Sequence, residues 1–132
     1  MAPNSSEADV AQITELRDAY VEAENAGDVD GILSTCGHDI VFMPPEGPPV
    51  RGIEASREFL TEFLDAFDIT IELSRDEIAV EGDLAYEWGT VSGTLTTPDA
   101  DSQPVNNTYL IVYQRASDGS WLQSKHVWNG ND

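Results

Sequence analysis

The sequence predicts an α+β domain, with three helices in its N-terminal half packed on a curved, mixed but mostly antiparallel β-sheet. Three observations carry this expectation. Apolar residues recur at helical spacing up to about Phe67, they alternate at strand spacing beyond it, and turn signals separate the later segments. A chain of 132 residues suits a single domain over 1–132 that buries roughly two-thirds of the surface its unfolded form exposes.

Residues 1–5 read as a frayed tail. Ser6 followed by Asp9 has the spacing of a capping box, and Val10, Ile13, Leu16, Tyr20 and Ala23 then mark the first helix. Gly27 suits its left-handed end, and Asp28 suits the N-cap of a short second helix. That helix carries Val29, Ile32, Leu33 and Cys36 and stops at Gly37. His38 to Met43 reads as a strand, and Pro44 to Pro49 as a stiff loop because proline fixes φ and donates no hydrogen bond. Ile53, Ser56, Phe59, Leu60, Phe63, Leu64 and Phe67 define the most amphipathic helix. Ile69, Ile71 and Leu73 then alternate. A Gly82-Asp83 turn leads into a strand from Leu84 to Thr96, and Thr97 to Asn106 reads as a polar loop. Thr108 to Arg115 and Trp121 to Trp128 are strands joined through an Asp118-Gly119 turn. Helices, one strand, a helix and an antiparallel meander make a cone whose open mouth is a natural small-molecule pocket.

Composition removes several function classes. Twenty-five Asp and Glu against six Lys and Arg give a net charge of −19, which opposes binding to nucleic acid and to anionic membranes. No run approaches the ~20 apolar residues that span a bilayer, and MAPNSSEADV lacks the basic and apolar regions of a secretory leader, so a cytoplasmic location is expected. The single cysteine, Cys36, suits a reducing compartment and reads as a small buried hydrophobe. Dispersed carboxylates with one lysine, Lys125, suit concentrated salt, although an ordinary acidic protein has the same composition. His38 beside Asp39 lacks further ligands at metal-site spacing. No phosphate loop, dinucleotide fingerprint or Ser-His-Asp order appears, so neither metal nor cofactor is expected.

Tyr20 to Ile32 (YVEAENAGDVDGI), Asp39 to Phe42, Arg51 to Ala55 and the closing Asp118-Gly119-Ser120-Trp121 together resemble the NTF2-like superfamily, in its SnoaL-like and ketosteroid-isomerase-like branch. The resemblance spans roughly residues 9 to 129 and implies the NTF2-like cone fold and sheet-to-sheet homodimers. It also implies isomerase, cyclase or dehydratase types of chemistry, on a fold that serves non-catalytic modules too. Steroid isomerases hold an enolate oxygen with a tyrosine and a protonated aspartate, while a second aspartate moves the proton. Tyr20 matches the tyrosine. Pro44, which cannot titrate, stands at the proton-moving position and Tyr109 at the other aspartate, so steroid isomerisation is not expected.

The candidate catalytic residues are His126, Glu87, Tyr20 and Tyr109. His126 titrates near neutrality on the last strand, the part of the sheet from which the resemblance implies acid/base residues. Strand parity groups it with Trp128, Ser124 and Leu122, opposite Trp121, unless a bulge changes the facing. Glu87, between Tyr86 and Trp88, would have a raised pKa if buried and is a possible partner for His126. Tyr20 and Tyr109 are either satisfied core aromatics or paired donors to a ligand oxygen. Phe42, Phe63, Trp88 and Trp128 are expected to bind the ligand. Trp88, Tyr113, Trp121, Val127 and Trp128 cannot all point inward, which suggests a homodimer through the outer sheet face. The function expected is binding of a small apolar or aromatic molecule in the cone, with cofactor-free proton transfer. The alternative is a non-catalytic ligand-binding or dimerisation module.

Overall fold

The computed structural model describes residues 5–99 and 101–131. Helices α1 (Ser5–Asn25), α2 (Val29–Leu33) and α3 (Gly52–Ala66) pack on strands β1 (Cys36–Met43), β2 (Val50–Arg51), β3 (Asp68–Glu81), β4 (Leu84–Thr96), β5 (Ser102–Arg115) and β6 (Trp121–Gly130). The six strands form one sheet of order β2-β1-β6-β5-β4-β3. β1 runs parallel to β6 and all other pairs are antiparallel, so the α+β, mostly antiparallel expectation holds.

Local chemistry sets the boundaries. Gly27 takes φ 69° after α1, and the Asp28 side chain accepts a hydrogen bond from the Gly31 backbone N–H at 3.0 Å. Gly119, at φ 90°, turns the β5–β6 hairpin, where Asp118 Oδ1 accepts from the Ser120 N–H at 3.0 Å. Four boundaries differ from expectation. Of the expected tail, residues 1–4 lie outside the described residues and Ser5 already opens α1; the Ser6 side chain also lies outside them. Asp9 does not cap. Its carboxylate takes both guanidinium Nη atoms of Arg115 at 2.9 Å, fastening α1 to β5. α2 ends at Leu33 and Cys36 opens β1, because Cys36 pairs with Gln123 of β6. The expected polar loop shrinks, since Ser102 to Asn107 ladder against β4 despite their polar side chains.

Two single-residue bulges and two glycines shape the antiparallel part of the sheet, and the β1–β6 register shifts between Cys36 and Val41. Asp76 in β3 and Ser124 in β6 are extra residues in their ladders. A Cβ on Gly89 would lie 2.0 Å from the Ser74 carbonyl oxygen, and one on Gly93 1.9 Å from that of Thr70, so only glycine lets β3 close this tightly on β4. The buried side chains form two clusters. One joins Ile13 of α1 to Ile71, Tyr109, Ile111, Tyr113 and Trp121 of the sheet. The other joins Tyr20, Ile32, Ile40, Phe42 and Leu60 between the helices and β1.

The Ser124 bulge decides which aromatic side chains face inward. Before it Trp121 and Gln123 are buried; after it His126 is buried and Trp128 half-buried, all on the inner face. Ser124 and Leu122 therefore do not share the face of His126, as uninterrupted parity had grouped them, and Trp121 does. Tyr113 and Trp121 belong to the core. Trp88 stands on the outer face, 39% exposed, with Leu84, Tyr86 and Leu110.

Candidate active site

The two core clusters do not meet completely. Between them lies a cavity of about 200 Å³ walled by Phe42, Phe59, Phe63, Ile71, Val91 and Trp128, with further aliphatic side chains from β3, β4 and β5. Polar groups are few on this wall: Tyr20 and Glu24 from α1, Asn107 from β5 and His126 from β6. A mostly apolar concavity with a few convergent polar groups is the usual form of a small-molecule site.

His126 is the best-defined of these groups. The Thr35 hydroxyl donates to the Ile32 carbonyl at 2.6 Å, and the Gln123 side-chain N–H donates to Thr35 Oγ1 at 2.9 Å. The Gln123 amide oxygen then stands 2.9 Å from His126 Nδ1, so Nδ1 carries the hydrogen and Nε2 is left with the free lone pair. A chain of three bonds anchored at a helix carbonyl thereby sets the tautomer. Tyr20 and Trp128 meet the imidazole edge-on at centroid distances of 5.2 and 5.5 Å, and Phe42 lies at 5.7 Å. Complete burial lowers its pKa to about 4, against the upward pull of the Glu87 charge, so the ring is neutral at pH 7.

Tyr20 and Glu24 stand one turn apart on α1. Burial, then the charge of Glu24, raises the Tyr20 pKa well above 10, and the hydroxyl keeps its proton. Glu24 is 9% exposed, and its Oε2 is buried with no hydrogen-bond partner. Burial raises its pKa, and only the Tyr20 hydroxyl acts in the opposite direction.

Glu87 is fully buried on the inner face of β4 in a different setting. The Tyr109 hydroxyl donates to its Oε2 at 2.6 Å and the Tyr113 hydroxyl to its Oε1 at 2.8 Å. Arg75 Nη2 reaches Oε1 at 3.2 Å, and Arg17 Nη1 lies 3.5 Å from Oε2. Burial pushes the pKa up, but the hydrogen bonds from Arg75, Tyr109 and Tyr113 and the Arg75 charge outweigh it, and the net direction is down. The Asp76 bulge makes the contact possible, because it leaves Arg75 and Ile78 on one face of β3.

Of the residues expected from sequence, His126, Tyr20, Phe42, Phe63 and Trp128 line the cavity. Three require correction. Glu87 does not pair with His126 and its pKa falls rather than rises, because two arginines and two tyrosines occupy its oxygens. Tyr109 is not a free donor, its hydroxyl being committed to Glu87. Trp88 does not reach the cavity; it points outward, and its indole N–H donates to Glu77 at 2.8 Å. Sequence reasoning missed Glu24, Gln123, Asn107 and Phe59. Two of them left a signal: Glu24 sits four residues after Tyr20 on α1, and Phe59 shares the apolar stripe of α3 with Phe63. Cys36 is buried and its thiol is pushed up to about 12 by burial, which leaves it unreactive. Among the described residues no group of three or more His, Cys, Asp or Glu is placed to hold a metal ion, and no helix is long and apolar enough to cross a membrane.

Solved structures share this architecture. A ketosteroid isomerase-like protein from Erwinia carotovora atroseptica is similar at 21% identity and a TM-score of 0.86, covering 92% of this chain and 95% of its own. A protein from Novosphingobium aromaticivorans, provisionally named an aromatic ring hydroxylase, is 25% identical with a TM-score of 0.82, over 92% of this chain and 88% of that one. A nuclear transport factor 2 (NTF2-like) superfamily protein from Salmonella enterica is 18% identical at a TM-score of 0.83, covering 92% and 90%. Residues 18–123 match the SnoaL-like domain, a span from the middle of α1 to the Gln123 that orients His126. The chain therefore belongs to the SnoaL-like family, with the fold of the NTF2-like structures.

Proposed function

We propose that the protein binds a small apolar or aromatic molecule in its cone and performs proton-transfer chemistry on it, of isomerase, cyclase or dehydratase type. The observation that carries the reading is a single apolar cavity holding a neutral, tautomer-fixed imidazole beside a protonated phenol. His126 Nε2 is the base, and the Tyr20 hydroxyl donates to the oxygen on which charge develops. Glu87 and Tyr109 lie outside the cavity lining, bound to each other, and take no part in this step. An apolar cavity of about 150 Å³ holds one benzene ring, so about 200 Å³ suits one ring with a short substituent. The provisional name of the Novosphingobium relative points to the same ligand class.

Titration with one-ring aromatic compounds, read by tryptophan fluorescence, tests binding. A saturable change that disappears in Trp128→Phe is expected, and no response across the series rejects the reading. Once a compound is turned over, His126→Asn is expected to lower kcat by about 100-fold or more. Retained turnover removes His126 from the mechanism and leaves a binding module.

We also propose a homodimer through the outer sheet face. Leu84, Tyr86, Trp88 and Leu110 are neighbours there on β4 and β5, each 36–51% exposed. Wild-type protein should sediment as a dimer and Trp88→Glu as a monomer; monomeric wild type at high concentration refutes this.

A further inference from the structure

Glu24 is the one cavity group that no element of the fold accounts for. Its carboxylate is nine-tenths buried on the wall, and Oε2 finds no donor. A buried carboxylate without a counter-charge is costly, and proteins normally relieve that cost with an arginine, as this chain does at Glu87. Here the arginines are engaged elsewhere or exposed: Arg17 and Arg75 on Glu87, Arg115 on Asp9, Arg57 on Asp30 and Arg51 at the surface. Neither they nor Lys125 line the cavity. The remaining ionisable groups on the wall are Tyr20 and His126, and both are uncharged at neutral pH.

We propose that the counter-charge comes from the ligand, and that the cavity is a receptor for a small aromatic or alkyl ammonium compound whose cation meets Glu24. This deepens the ligand-binding reading above and rests on it. Three further observations converge on a cation. The wall presents the rings of Tyr20, Phe42, Phe59, Phe63 and Trp128, whose faces attract organic ammonium groups. Among the described residues no positive group lines the cavity to repel one. The net charge of −19 concentrates cations around the whole molecule and speeds their arrival. The volume of about 200 Å³ limits the occupant to one ring with a short aminoalkyl arm. A neutral carbonyl compound accepting a hydrogen bond from protonated Glu24 is the competing occupant, and the test separates the two.

Benzylamine and benzyl alcohol have nearly the same shape and differ in charge at pH 7. Calorimetric titration of the wild-type protein with each is the experiment, repeated with Glu24→Gln. Benzylamine should bind wild type at least about tenfold more tightly than the alcohol, the scale of a hydrogen bond to a charged group. Glu24→Gln should erase the preference while retaining the alcohol. Equal or tighter binding of the alcohol to wild type overturns the inference and leaves the cavity reading intact. A preference for the amine that survives Glu24→Gln also overturns it, since net charge alone then suffices. Binding of neither compound overturns the inference and the one-ring cavity reading together.

Discussion

Glu87 and Glu24 are the same residue type, both buried and both on the concave side of the cone, yet their surroundings differ in every respect. Glu87 has two arginines and two tyrosine hydroxyls within reach, while Oε2 of Glu24 has none. Burial pushes both carboxyls upward; the partners reverse the direction at Glu87 and leave it standing at Glu24. A charge that is fully matched by the protein holds the sheet together and is closed to chemistry. A charge left unmatched beside a cavity is available to whatever enters. Burial of an ionisable group therefore does not mark a functional residue until its partners are counted.

Breaking the matched site should have the largest effect. Glu87→Ala leaves Arg75 half-buried without its anion, Arg17 with Asp18 alone, and two tyrosine hydroxyls without an acceptor. A loss of about 3–5 kcal/mol in denaturant unfolding is expected; a loss below about 1 kcal/mol would mean the network is looser than its geometry. His126 comes next. Its pKa falls from 6.5 to about 4 on folding, so between those values the unfolded chain binds a proton that the folded one refuses. Its contribution is whole above pH 6.5 and is lost as pH falls toward 4, on the order of 3 kcal/mol over that window. His126→Asn should flatten the stability curve there, and an unchanged slope would assign the acid lability to other groups. Glu24→Gln should give the smallest effect and the opposite sign. The raised pKa of Glu24 means that wild-type stability declines as pH rises above 4.5, so the glutamine variant should gain on it with pH. Glu87, with its lowered pKa, contributes stability that is lost instead as pH falls below 4.5. A glutamine variant that loses ground with rising pH would show that Glu24 has a hidden partner.

The fold was legible because its signals are local. Gly27 and Asp28, Asp118 and Gly119, and the stripe of α3 each report a turn, a cap or a face through chemistry contained in a few residues. β5 was shortened in the reading because Ser102, Gln103, Pro104 and Asn106 carry loop chemistry, whereas their pairing with β4 comes from across the sheet. The site was half legible for the same reason. Tyr20, Phe42, Phe63, His126 and Trp128 lie on inward stripes or on the last strand. Glu87 and Glu24 look alike in sequence, and only the third dimension shows which of them the arginines reach. Arg17 lies on α1, far from Glu87 along the chain, and Arg75 reaches Glu87 across the β3–β4 hairpin only through the Asp76 bulge, which the sequence does not announce.

The extra residue at Ser124 has a consequence for how this family can vary. The inner face of β6 is written in two frames, Trp121 and Gln123 in one and His126 and Trp128 in the other, and the bulge splices them. Point substitution changes what stands at each position but cannot move it between faces. Straightening the ladder with every residue kept would turn imidazole and indole out to the convex side together, whereas loss of Ser124 itself would leave Lys125 opposite Val112 and His126 opposite Ile111, still facing in. The chemistry of the cone is thus held by the bulge as much as by residue type, and a β6 that kept every residue but lost the bulge would shed the imidazole from the cavity.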